Sequence, residues 1–263
     1  MSAALTAVGQ TIALAHEINP VKLNNSKELV PCLSEMLSGF CKVDPPTMKK
    51  MPVEVDVPEL LVQTGMECNA TELTKAVGDL ALIAFYYLLR VGEYTVKRSR
   101  NNTKQTKQFK LADVQFFEST EKGNLRRLSG IAPDKQIMAA ASATLKLDNS
   151  KNGRKGVCVH QEANGEEHLC CVRALARRFY YIRKMSGRIM KTWLSAYWMK
   201  GKRCDVNDED IRKNLKWAGG ILDYEGMRNI PVDRIDTHSL RSGGANALSL
   251  SGYSDRQIMK MGR

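Results

Sequence analysis

The spacing of apolar residues predicts helices at both ends of the chain and strands in the middle. Near the N-terminus, two groups of apolar residues recur at helical spacing: Leu5, Val8, Ile12 and Ala15, then Leu29, Leu33, Met36 and Leu37. Asn19-Pro20 and Asn24-Asn25-Ser26 lie between them and indicate a turn followed by a helix start. Two such helices bury little surface, so we predict that residues 1–43 form a partial helical domain.

A proline-rich segment follows and predicts a linker over residues 44–58. Pro45 and Pro46 are adjacent, and Pro52 and Pro58 come after two lysines. Proline removes a backbone donor and restricts the residue before it, so a helix cannot continue through this pair. We therefore predict a second domain over residues 59–263.

The clearest helix is predicted over residues 71–91. Its apolar stripe is nearly ideal and consists of Leu73, Ala76, Val77, Leu80, Ile83, Ala84, Tyr87 and Leu88. Asn69 or Thr71 can cap its start, and Gly92 can end it. Arg90 continues the buried face, which leaves two interpretations: an arginine that snorkels at the helix end, or a guanidinium directed into a site.

Residues 108–160 favour strands and the remainder favours helices. Phe109–Phe117 alternates apolar with polar residues, and residues 143–147 and 156–160 flank a turn-forming segment that ends in Asn152-Gly153. Helical stripes then cover residues 169–182, 211–218 behind an Asn207-Asp208 cap, 237–250 and 254–261. The predicted fold class is mainly α (α+β), with a small antiparallel sheet and hairpin, rather than a doubly wound sheet.

The charge balance favours a polyanionic partner. The chain has 40 Lys+Arg against 28 Asp+Glu, a formal net charge of +12, and a pI near 9.4. Nucleic acid is the first partner that such a surplus suggests and an acidic membrane surface the second, while an ordinary basic protein remains the alternative. The cations cluster in three regions: residues 97–110, residues 146–155 and residues 173–203.

The cysteines give no sign of a metal site or a disulfide framework. There are seven, an odd number, with no C-x-x-C pair, and the adjacent Cys170 and Cys171 are poorly placed to bond to each other. We predict reduced thiols in an intracellular compartment, no metal and no cofactor. No secretory signal is visible, and the longest apolar run, Leu80–Leu89, is about half a membrane span, so no membrane partner is expected.

Residues 237–245, Thr-His-Ser-Leu-Arg-Ser-Gly-Gly-Ala, are the most informative for chemistry. Asp236 or Thr237 can cap a helix there, which puts His238 and Arg241 on one face of its first turn. A helix N-terminus favours anions, and these two side chains strengthen that preference. Gly243 and Gly244 weaken a helix by about 1 kcal/mol each relative to alanine, which is easier to explain if another segment packs against the backbone.

This segment resembles box II of the tyrosine recombinases, the phage-integrase-like enzymes that break and rejoin DNA. Leu88–Tyr94 resembles box I, an arginine at a helix end followed by an acidic residue, and residues 252–263 are similar to the family's next helix and its G-[HRW] turn. Residues 169–175 resemble the Cys-Pro-Val-Arg-Ala-Leu helix start of the Crypton-type branch of eukaryotic mobile elements, with Cys171 in place of the proline. The resemblance covers about residues 57–263.

The resemblance implies a metal-free cleavage of DNA through a 3′-phosphotyrosyl intermediate, within integration or recombination. Two arginines, Arg90 and Arg241, would neutralise the non-bridging oxygens, and His238 would assist the attacking phenol. Lys151 on the hairpin, with Lys155 as second candidate, would protonate the leaving 5′ oxygen. Further contacts to double-stranded DNA are expected from Lys97, Arg98, Lys107, Lys155 and Arg173. The resemblance also implies a core-binding, SAM-like role for residues 1–43, a homo-oligomer on DNA and nuclear residence.

The chain departs from the family at its end. It stops at Arg263, before the position of the family's nucleophilic tyrosine, so we expect a catalytic domain truncated at its C-terminus. Tyr253 and Tyr224 are poorly placed relative to Arg241 and are not nominated as nucleophiles. The alternatives are a catalytically inactive DNA-binding remnant of a mobile element, a relative of type IB topoisomerases and a basic RNA-binding protein.

Overall fold

The computed structural model describes residues 2–23, 28–43, 50–96, 107–147, 156–187 and 189–262. The chain forms two compact units, residues 1–48 and 49–263. The first contains helices α1 (Ser2–His16) and α2 (Pro31–Val43) and a single bridge between Lys22 and Leu29. Several of its described apolar side chains are exposed, Leu14 by 89%.

The second unit is organised around one buried helix. Helix α4 (Glu72–Tyr86) is capped by Thr71, whose hydroxyl accepts the Thr74 N–H at 3.1 Å. Residues 76–85 of α4 are all buried, which is typical of a helix enclosed on every side. It packs against α3 (Asp56–Met66), α7 (Cys171–Met185), α8 (Asp208–Ile221) and α10 (Thr237–Leu250).

Helix α3 starts inside the segment predicted as a linker. Pro58 lies in its first turn, where the missing N–H would have no helical partner, so the proline is compatible with the helix. The phenol of Tyr224 ties this helix start to the C-terminal half of the chain. It donates to Asp56 Oδ1 at 2.6 Å and accepts the Glu54 N–H at 3.0 Å.

Four strands form an antiparallel sheet in the order β2-β1-β3-β4. They are β1 (Val114–Ser119), β2 (Leu125–Arg127), β3 (Ser142–Leu147) and β4 (Val157–Glu162). The predicted hairpin is confirmed in its strands, with Leu147 opposite Val157 and Leu145 opposite Val159. The strand predicted from Phe109 begins later, because residues 111–113 form a 3₁₀ turn. Phe116 of β1 packs edge-on against Phe179 of α7, with ring centroids 5.3 Å apart.

Shorter elements complete the unit. They are α5 (Val91–Tyr94), α6 (Asp134–Met138), the two-stranded pair β5 (Ala196–Met199) and β6 (Lys202–Asp205), α9 (Tyr224–Arg228) and α11 (Asp255–Gly262). Within the described ranges, helices far outnumber strands and the sheets are small and antiparallel. The predicted fold class, mainly α (α+β), is confirmed.

Helix α4 ends five residues earlier than its apolar stripe predicts. Leu88 adopts a left-handed conformation with φ +50°, and Leu89 N–H bonds back to the Ala84 carbonyl at 2.9 Å. This is a Schellman ending, in which leucine occupies the position usually taken by glycine. Arg90 therefore does not continue the buried face of α4. It is the N-cap residue of the next short helix, α5.

Candidate functional site

Asp236 positions the start of α10. Its carboxylate accepts the Thr237 N–H at 2.6 Å. Asp236 also forms a capping box with Ser239: its side chain accepts the Ser239 N–H, and its own N–H donates to Ser239 Oγ at 3.0 Å. Arg212 of α8 donates at 3.2 Å to the oxygen that accepts the Thr237 N–H. Burial opposes ionisation of Asp236, but the Thr237 N–H and the Arg212 guanidinium outweigh it and lower the pKa of this carboxyl.

The helix that starts there carries both box II side chains. His238, in the first turn, is exposed. The Arg241 guanidinium, one turn further on, is partly buried and donates hydrogen bonds to the backbone carbonyls of Leu88 and Gly262. The left-handed turn at Leu88 leaves this carbonyl outside the helical ladder of α4, where a side chain can reach it.

Arg90 lies two residues beyond the carbonyl that Arg241 holds. Its backbone N–H donates to Glu93 Oε2 at 2.8 Å, and its guanidinium is 3.5 Å from Glu93 Oε1. Glu93 is fully buried, whereas the Arg90 side chain is 24% exposed. Burial raises the pKa of the neighbouring Tyr94 phenol, and the carboxylates of Asp236 and Glu93 raise it further. The effect of Asp236 on Tyr94 indicates that α5 lies within electrostatic range of the cap of α10.

Two glycines allow α10 to pack closely against the segment before α3 and against the end of α4. A β-carbon on Gly243 would overlap the carbonyl oxygen of Val53, and one on Gly244 would overlap the carbonyl oxygen of Phe85. The close backbone packing predicted from this glycine pair is therefore present. This packing places α10 beside the end of α4, four residues before Arg90.

Most of the other predicted site residues lie outside the part of the chain that the structure describes. They are Lys97, Arg98, Lys151 and Lys155, so the position of the predicted hairpin lysine is not described. Lys107 is exposed.

Arg173 lies on α7 and has contacts of its own. It donates from Nη1 to the carbonyls of Met138 and Ala140, the latter at 2.9 Å. These bonds link α7 to the segment before β3, so Arg173 has a structural role in the fold. Its predicted DNA contact stays a prediction.

Three residues near the site were not singled out in the sequence. Leu88 gives no local signal, because leucine rarely adopts the left-handed conformation found here. The signal for Arg212 was its position next to Ile211, in the apolar stripe of α8. The structure shows that its side chain contacts the cap of α10. Glu93 was noted only as the acidic residue that follows Arg90 within box I, and its complete burial depends on the tertiary fold.

No protein-family model matches this chain, and a search of the curated proteins finds no match either. Across the described residues, no helix combines the length and apolarity needed to cross a membrane. In that same part of the chain, no group of three or more His, Cys, Asp or Glu side chains is arranged to hold a metal ion.

Proposed function

We propose that this chain binds double-stranded DNA through a backbone phosphate held between Arg90, Arg241 and His238. One observation carries the proposal: Arg241, on a capped helix start, is hydrogen-bonded to the turn that presents Arg90. The two arginines are far apart in sequence, and the fold gathers them where a helix N-terminus already favours an anion. Guanidinium groups suit phosphate oxygens because they donate two parallel hydrogen bonds.

The order of these residues along the chain supports a narrower version of the proposal. Box I, a hairpin and box II follow one another as in the tyrosine recombinases, whose chemistry needs no metal. In that reaction a tyrosine oxygen attacks phosphorus, the bond to the 5′ oxygen breaks, and the 5′ oxygen takes a proton. Arg90 and Arg241 would stabilise the charge on the non-bridging oxygens, His238 would assist the phenol, and Lys151 would supply the proton.

The nucleophile is not among the residues named for this site. Tyr224 is buried and hydrogen-bonded to Asp56, and Tyr253 precedes α11 on the surface. The proposal therefore assigns phosphate binding to these residues and leaves bond breakage to a tyrosine supplied from elsewhere. Assembly of several copies on DNA and residence in the nucleus belong to the same proposal. A DNA-binding remnant without cleavage is the second candidate, favoured by the two carbonyls that already occupy Arg241.

The sharpest test is a charge reversal at the exposed His238. His238→Glu puts a carboxylate at a helix start, where it is compatible with the fold but repels phosphate. His168→Glu makes the same change at another exposed histidine, in the loop before α7, and serves as the matched control. Fluorescence anisotropy with a 30-base-pair duplex at pH 8 should show at least tenfold weaker binding for His238→Glu only. Equal affinities for the two variants would overturn the proposed site.

Salt dependence and two further variants complete the test. Contacts from several cations release counterions, so affinity should fall steeply between 50 and 200 mM salt, and a flat response would exclude a phosphate clamp. Arg241→Ala should weaken binding more than Lys107→Ala, and small, equal effects would mean that Arg241 has only a structural role. Tighter binding to single-stranded RNA than to duplex DNA would favour the RNA-binding alternative.

A further inference from the structure

The β5–β6 hairpin has a tight turn, an exposed tip and a buried base. Lys200 and Gly201 form its two-residue turn with φ values of +49° and +74°, the signature of a type I′ turn matched to strand twist. At the base, Ala196 and Tyr197 are buried. The buried Arg178 guanidinium donates to the Ala196 carbonyl, which fixes the root of β5 to α7.

The tip has the opposite character. Residues 199–203 are exposed and include Lys200, Lys202 and Arg203, three cations in four positions. The Arg203 guanidinium carbon lies 5.3 Å from the centre of the Trp193 ring, and one of its nitrogens is 3.1 Å from Asp205. These contacts hold Arg203 alongside the strand, whereas Lys200 and Lys202 are exposed at the tip.

The root of the hairpin adjoins the candidate site. Val96, shortly after α5, donates its N–H to the Val206 carbonyl at 2.9 Å, directly after β6. Arg90 caps α5 on the N-terminal side, so one short helix separates the phosphate-site arginine from this root. From Val206 to Lys202 the strand extends for about 14 Å at roughly 3.4 Å per residue. The tip therefore lies within about 14 Å of a root that adjoins α5, a distance short enough for both to contact one duplex.

We propose that the β5–β6 hairpin is a second DNA-contacting element and that its tip enters the major groove beside the bound phosphate. Two paired strands lie about 4.8 Å apart, and the major groove, roughly 12 Å wide, admits a two-stranded ribbon with its side chains. Lys200 and Lys202 would face the phosphates that line the groove. This inference rests on the proposed function, because it requires duplex DNA as the partner.

The test compares two double variants that remove the same charge. Lys200→Ala/Lys202→Ala changes the hairpin tip, whereas Lys122→Ala/Lys135→Ala removes two exposed lysines from the β1–β2 turn and α6. Each lost phosphate contact should reduce the slope of log K against log salt by about 0.9, so the hairpin variant should lose about 1.8. The control variant should keep the wild-type slope. Equal slope changes in the two variants would overturn the inference.

Two further results separate this inference from the proposed function. If wild-type protein binds duplex DNA and His238→Glu weakens it while the hairpin variant matches wild type, the phosphate site stands and the hairpin inference fails. If the wild type does not bind duplex DNA, the proposed function fails first. A single strand of the same sequence has no major groove, so an equal loss of affinity for it in the hairpin variant would exclude groove entry.

Discussion

Gly244 provides the strongest test of how α10 is held against α4. In Gly244→Ala the new methyl group would overlap the carbonyl oxygen of Phe85 and crowd a methyl group of Leu88. The oxygen is backbone and cannot rotate away, so we expect a cost at the upper end of the range of about 1–3 kcal/mol for overpacking. Alanine returns about 1 kcal/mol through its higher helix propensity. The net expectation is a loss of about 2 kcal/mol of unfolding free energy.

Gly220 in α8 is the matched control. It is also helical, but a β-carbon there meets no atom within 4 Å, so Gly220→Ala should gain up to about 1 kcal/mol. Urea unfolding followed by circular dichroism measures both changes, provided that the denaturant slope is unchanged. Gly244→Ala should also weaken binding to duplex DNA, because moving α10 outward carries Arg241 with it. If the two variants were stabilised equally, the close packing of α10 on α4 would be refuted.

The remaining predictions concern residues that support the site. The pKa of Asp236 is lowered, so its ionisation stabilises the fold above about pH 4 and this stabilisation is lost as pH falls through the lower folded-state value. Asp236→Asn keeps a cap acceptor without the charge that Arg212 holds, so unfolding free energies measured from pH 6 to pH 2 should decline less than in wild type. Tyr224→Phe removes the hydrogen bond to Asp56 and should cost about 1–2 kcal/mol in urea unfolding. Tyr253→Phe, at an exposed position, should change stability by less than about 0.5 kcal/mol, and a similar loss in both variants would contradict this role for Tyr224.

Local patterns were sufficient where neighbouring residues determine the structure. The bounds of α10 follow from its cap residues and its small, apolar face, and Asn207 caps α8 as predicted, accepting the Asp210 N–H at 3.0 Å. The strands β3 and β4 follow from short apolar runs on either side of turn-forming residues. Each of these structures is determined by residues that are close together in the chain, so it can be predicted from a single sequence.

Structure that depends on distant contacts was not predicted. The apolar stripe of α4 continues smoothly through Leu88, but the helix ends before it in a left-handed turn whose carbonyl accepts a tertiary hydrogen bond from Arg241. Helix α3 was not predicted, because the prolines near its start indicated a linker, although Pro58 is compatible with a first helical turn. Arg90, His238 and Arg241 were predicted from the sequence as site residues, whereas the bond from Arg241 to the Leu88 carbonyl, two residues before Arg90, depends on the tertiary fold.

The bond between Arg241 and Leu88 also bears on how the molecule folds. It connects residues 153 positions apart, so the entropy of closing that loop is lost before the contact can form. At Gly244, where α10 crosses the end of α4, there is no side chain whose burial could offset that loss. We expect α10 and α11 to dock after the rest of the unit and to detach before it unfolds. A phosphate bound at Arg241 would oppose that detachment, so hydrogen exchange in α10 should slow when DNA is present.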